Sequence, residues 1–132
     1  MKPKFRCATK KALEELAAEL NLRDSIPEWD SMAGYSYTPA NPADIEQYID
    51  YYSLIEEEDK KFVLMEMILG ANVEQLDETN FIKYWKIVKP ILIENYSIHE
   101  YTIHYWKDMT EQNFENCKFL SPQLQKLVRQ MQ

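Results

Sequence analysis

Two glycines, Gly34 and Gly70, are all that this chain of 132 residues contains. Tight hairpin turns place residues at positive φ, which glycine adopts with least strain, so a fold of many short strands has little to turn on. Loops that cradle phosphate are disfavoured for the same reason, because their repeated glycines let the backbone close around the anion. Helix remains, and the apolar pattern follows helical spacing along most of the chain.

Six helical segments are predicted. The first covers about residues 10–22, with Thr9 as N-cap and Leu13, Leu16, Ala17 and Leu20 on one face. An irregular connection over 24–41 follows, punctuated by Pro27, Gly34 and Pro39. The second helix starts with Asn41 as cap, Pro42 in the first position and Asp44 near the positive end of the dipole. Ile45, Tyr48, Ile49 and Tyr52 form its apolar stripe, and Glu46 and Asp50 its wet side. The third begins around Glu56–Asp59, and its run from Phe62 to Leu69 is apolar nearly all round, the pattern of a central helix. Gly70 stands where a C-terminal cap belongs.

The fourth helix opens at Glu78 behind Asp77, with Phe81, Tyr84, Trp85, Val88 and Leu92 in period, and Pro90 is expected to kink or split it. The fifth opens on Ser97 and Glu100, a capping-box spacing flanked by Tyr96 and Tyr101, and continues through Ile98, Thr102, Tyr105 and Trp106. The last starts at Ser121-Pro122 and carries Leu124, Leu127, Val128 and Met131. The expectation is one all-α domain over residues 1–132, an irregular bundle of about five to six helices, one of them kinked near Pro90.

Hydrophobic residues make up 45% of the chain and charged residues 28%, which is globular rather than disordered composition. Cys7 and Cys117 do not make a disulfide framework. The basic start, Met1 to Arg6, is followed by no apolar stretch of signal-peptide type, and no run approaches the ~20 residues of a membrane span. A cytoplasmic protein with reduced thiols and no membrane partner is expected.

The net charge of −7 is unevenly spread. Residues 1–11 hold five basic groups and no acid, residues 12–82 hold three basic groups and seventeen acids, and residues 83–132 hold seven basic groups and five acids. The middle is a concentrated anion. It repels nucleic acid and anionic lipid and attracts a basic partner, so no direct nucleic-acid binding is expected.

Catalytic and metal patterns are weak. His99 and His104 are five positions apart, about 140° around a helix, whereas a zinc-protease helix needs histidines four apart facing one metal. The intervening residue at the right spacing is Ile103. His99 is expected to be an exposed first-turn residue and His104 to border the core. No Glu-x-x-His pair of the di-iron kind occurs. Cys7 lies among Lys4, Arg6 and Lys10, which favour a thiolate, but no base is identifiable beside it. Neither a metal nor another cofactor is expected, and the chain is read as a non-enzyme.

The binding reading rests on acids accompanied by aromatics. Glu56, Glu57, Glu58 and Asp59 suit a helix start, and Glu28, Asp30, Asp44, Glu46 and Asp50 lie in the same stretch. Trp29, Tyr35, Tyr37 and Tyr51 lie among them, and aromatics give contact area at low entropic cost. These thirteen residues are the candidate binding set. In length, charge and compactness the chain resembles small acidic bacterial inhibitors of toxic enzymes, such as immunity proteins, antitoxins and anti-defence proteins. That resemblance implies a stoichiometric inhibitor of a basic partner such as a toxin nuclease. The alternatives are a small enzyme using Asp or Glu in a cleft between helices, marked by shifted carboxylate pKa values, and an adaptor or structural subunit, marked by an exposed apolar patch.

Overall fold

The computed structural model describes residues 9–20, 42–107 and 120–131. Among these the fold is all-α, 86% helical, with six α-helices, one 3-10 turn and no strand. The helices are α1 (Lys10–Glu19), α2 (Ile45–Tyr52), α3 (Glu58–Val73), α4 (Glu78–Glu94), α5 (Tyr96–Lys107) and α6 (Leu120–Met131), and the 3-10 turn Pro42–Asp44 leads into α2. The chain divides into two compact units, a first one ending at Ala71 and a second one that starts at Asn72, inside the last turn of α3.

In the first unit, Thr9 caps α1 as its spacing predicts, accepting from the Ala12 N–H at 3.1 Å. The helix is shorter than expected, ending at Glu19 with Leu20 as its C-cap. Ala12, Leu16 and Leu20 are buried. Pro42 starts a 3-10 turn rather than the helix itself, and Asp44 stands at the N-cap of α2 without a side-chain cap bond. α2 buries Ile45, Tyr48 and Tyr52.

α3 departs from its expected end. Gly70 does not cap it; the helix continues through Gly70 to Val73. Ala71, Asn72 and Val73 are buried, and their burial outweighs a glycine penalty of about 1 kcal/mol within a helix. Glu58 and Asp59 occupy the first turn, where the dipole favours them. The stretch from Phe62 to Leu69 is buried at every position except Glu66, as the apolar run predicts.

In the second unit, Asp77 caps α4 by accepting from the Asn80 N–H at 2.9 Å. Phe81, Trp85, Val88 and Leu92 form its buried face, with the rings of Phe81 and Trp85 near parallel and 6.3 Å apart. α4 runs unbroken through Pro90. The ring stands on the exposed side, where the Lys86 carbonyl that it deprives of a donor can turn to water.

α5 also starts differently from its expected cap. It begins at Tyr96, and the Asn95 carbonyl closes the first turn by accepting from Ile98 at 3.0 Å and His99 at 3.3 Å. Ser97 lies inside the helix, so the capping-box assignment is wrong. The buried face is Ile98, His99, Thr102 and Ile103, rotated away from the expected stripe. Tyr105 is consequently exposed, and His99, expected in solvent, is fully buried. His104 is half-buried, as expected.

α6 begins at Leu120, packs most extensively on α5, and buries Leu120, Leu124, Leu127 and Val128 at helical spacing. It also completes the end of α5. The Ser121 hydroxyl donates to the Trp106 carbonyl at 2.7 Å, and the Gln125 amide donates to the Lys107 carbonyl at 3.1 Å. Those carbonyls have no partner within their own helix. No described helix is long and apolar enough to cross a membrane.

Candidate protein-interaction surface

The first unit collects the acids that the sequence singles out. On α2, burial of Ile45, Tyr48 and Tyr52 turns the opposite side outward, and Glu46 and Asp50, one turn apart, are both exposed there. The chain leaves α2 in a tight turn. The Leu54 N–H donates to the Tyr51 carbonyl at 2.9 Å, the Ile55 N–H to the Tyr52 carbonyl at 3.2 Å, and the Ser53 hydroxyl to the Asp50 carbonyl at 2.8 Å. Ile55 is buried, and its neighbour Leu54 is left 73% exposed. Glu56, Glu57, Glu58 and Asp59 follow, all exposed.

Both lysines of the first turn of α3 are engaged within the unit. The Lys60 ammonium lies 2.7 Å from the Glu19 carboxylate, 3.6 Å from Glu15 and 3.8 Å from Glu57. The Tyr51 hydroxyl donates to the other oxygen of Glu19. Lys61 sits over the Tyr52 ring, 5.8 Å from its centre. The hydrogen bond from Lys60, then that from Tyr51, holds the Glu19 carboxyl below its usual range. The same contact with Glu19 raises the Tyr51 phenol, with burial adding to it, and raises the Lys60 ammonium. Glu19 and Lys60 are therefore ionised and Tyr51 is neutral around neutral pH, an arrangement that ties α1, α2 and α3 together. Lys60 and Lys61 contact partners within the unit, and Glu46, Asp50, Glu56, Glu58 and Asp59 are exposed acids of the same unit.

Of the thirteen candidates, Glu28, Trp29, Asp30, Tyr35 and Tyr37 lie outside the described residues. Asp44 is half-buried at the start of α2. Tyr51 is half-buried, with its hydroxyl given to Glu19. Glu57 is exposed and shares Lys60. The remaining five, Glu46, Asp50, Glu56, Glu58 and Asp59, are acidic and exposed. Cys7 and Cys117 also fall outside the described residues.

Five residues escaped the sequence reading. Glu15 and Glu19 are one helical turn apart on α1, a spacing that lets both reach one cation, but their partner Lys60 is 41 positions beyond Glu19 and carries no local signal. Leu54 was readable as an apolar residue between acids, yet which of Leu54 and Ile55 turns inward depends on the turn. Glu66 is the single charge in the apolar run of α3, and burial pushes its carboxyl up to about 8.

Among the described residues no group of three or more His, Cys, Asp or Glu side chains is placed to hold a metal ion. Compared with models of protein families, with curated proteins and with solved structures, the chain matches none.

Proposed function

We propose that this protein is a small binding protein that inhibits a basic partner one-to-one, covering a surface that the partner otherwise uses for a polyanionic substrate. The observation that carries the reading is the outward acidic surface of the first unit, with Lys60 and Lys61 turned to partners within it. Charges arranged this way accelerate encounter with a cationic surface and reject anionic ones. Leu54, 73% exposed amid these acids, supplies the apolar contact that charge alone lacks. A toxin nuclease is the partner class that fits best, since its own substrate is a polyanion.

The test is affinity capture from the native host at low salt, followed by mass spectrometry. One basic protein in equimolar ratio, released by salt and lost with the Glu46→Lys/Asp50→Lys variant, is the expected result. Capture of acidic proteins only, equally well by the variant, would count against it.

Glu66 favours a second reading, acid–base catalysis, because a carboxyl with a pKa near 8 exchanges protons around neutrality. Among the described residues it has no hydrogen-bond partner that would serve as a second catalytic group, and burial alone accounts for its shift. The binding reading therefore stands first.

A further inference from the structure

The second unit carries a surface opposite in sign to the first. α4 buries Phe81, Trp85, Val88 and Leu92, which turns Lys86, Ile87, Lys89, Pro90 and Ile93 towards the other side of the helix. Ile87 is 46% exposed and Ile93 38% exposed, with Pro90 between them at three-residue spacing, so the three make one apolar ridge. Lys86 is exposed and Lys89 half-buried along its flank, and exposed Lys83 and Glu94 share the same side of the helix, which leaves that side net cationic. Helices seldom spend two isoleucines on solvent, and an apolar ridge flanked by lysines has the composition of a contact surface rather than of a solubilising face.

The centre of the ridge is apolar, so a nucleic acid, which binds mainly through its phosphates, is a poor occupant for it. A protein surface with an apolar centre and acidic flanks matches it, and the chain itself offers one: Leu54 between Asp50 and Glu56.

We propose that the Lys86–Ile93 ridge of α4 docks the Leu54 turn of a second copy of this chain, so that copies associate head to tail. Leu54 lies against Ile87 and Ile93, and Asp50 and Glu56 meet Lys86 and Lys89. The contact is heterologous, so it either closes into a ring or extends with concentration. It also covers the acidic surface of one copy in every contact, which makes assembly and the capture of a basic partner mutually exclusive. The association itself does not depend on the proposed function.

Sedimentation velocity over a concentration series at low salt tests this with the full chain. The wild type is expected to sediment faster as concentration rises and to return to the monomer in high salt. Asp50→Lys/Glu56→Lys sets lysines beside Leu54 against the lysines of the ridge, and Lys86→Glu/Lys89→Glu sets acids on the ridge against the acids beside Leu54. Each variant alone is expected to associate at least about tenfold more weakly, and an equimolar mixture of the two to associate again. Leu54→Ser and Ile87→Ser, which leave the charge unchanged, should weaken association by a similar factor, and circular dichroism confirms that each variant is folded. A wild type that remains monomeric throughout overturns the proposal. So does a mixture of the charge variants that fails to associate, or association unchanged in all four variants.

Discussion

The Lys60 ammonium stands 2.7 Å from the Glu19 carboxylate, joining the start of α3 to the end of α1 across 41 positions of sequence. Their side chains are 12% and 33% exposed, so the pair is screened by water and its worth is modest. A double-mutant cycle of Glu19→Gln and Lys60→Met, read by urea denaturation at low salt, should give a coupling of about 0.2–1 kcal/mol that shrinks in high salt. A coupling of zero at low salt would mean that the pair forms without stabilising the unit. The pH dependence has a definite sign. The folded-state pKa of Glu19 is lowered, so its contribution is complete above the usual 4.5 and is lost as pH falls through the lowered value.

Glu66 acts in the opposite direction. Burial raises its carboxyl from the usual 4.5 to about 8. In the unfolded chain it ionises near the usual value, so stability is greatest below that value and declines as pH rises towards about 8, where the folded state ionises too. Glu66→Gln keeps the shape and removes the ionisation. It should stabilise the protein at pH 7.5 by about 1–3 kcal/mol, a figure reduced from the full linkage value because the side chain is only partly buried. Urea midpoints at several pH values check this. Equal midpoints for wild type and variant at pH 5 and at pH 7.5 would show that the carboxyl reaches water.

Core and surface leucines provide a control for the packing of α3. Leu64 and Ile68 are both fully buried, and replacing either with alanine should cost about 2–5 kcal/mol by leaving a cavity. Leu54 is 73% exposed, and Leu54→Ala should change stability by less than about 0.5 kcal/mol. A loss below about 1 kcal/mol at both core positions would place α3 at the periphery of the packing.

The apolar run Phe62–Leu69 announced the buried helix, and the Thr9 and Asp77 caps were legible because a cap is a local device that one side chain and a nearby N–H suffice to make. What misled were local signals overridden by packing. Gly70 has the composition of a helix stop, but burial of Ala71–Val73 carries α3 past it. Ser97 and Glu100 have the spacing of a capping box, but Asn95 ends α4 and starts α5 within one residue, so the helix is already under way at Ser97. That earlier start accompanied a misjudged inner face, with His99 inside and Tyr105 outside. For the candidate surface, Glu46 and Asp50 were readable from the period of α2. Lys60 was not, because its partners on α1 are brought to it only by the tertiary fold.

Pro90 tests whether the continuity of α4 is strained. Proline inside a helix removes one backbone hydrogen bond and its ring crowds the carbonyl four residues earlier, here that of Lys86. The position is exposed, so alanine creates no cavity. Pro90→Ala should stabilise the protein by about 1–3 kcal/mol, less than the full helix penalty where the helix has already adjusted. Thermal or urea denaturation reads this directly. A destabilised variant would mean that the proline ring contributes contacts that outweigh its lost hydrogen bond.

The acidic surface makes a kinetic prediction. Glu46 and Asp50 are exposed on α2, opposite Ile45, Tyr48 and Tyr52, so reversing both to lysine should leave the fold intact by circular dichroism. Long-range charge acts on encounter more than on the docked complex, so with the true partner the double reversal should lower the association rate by about tenfold or more. The wild-type rate should itself fall as salt is added, because screening shortens the reach of exposed charges. Leu54→Ser removes no charge, and by the same reasoning should leave association nearly unchanged while raising the dissociation rate. Tyr51→Phe separates an internal role from an external one. Its hydroxyl is given to Glu19, so its loss should weaken the tie between α1 and α2 with little effect on partner affinity. Stopped-flow or surface-based kinetics on the captured partner measure all three. A partner whose association ignores salt and the Glu46 and Asp50 reversals, and which is lost only by substitutions in residues 83–132, would show that the acids of the first unit merely keep it in solution.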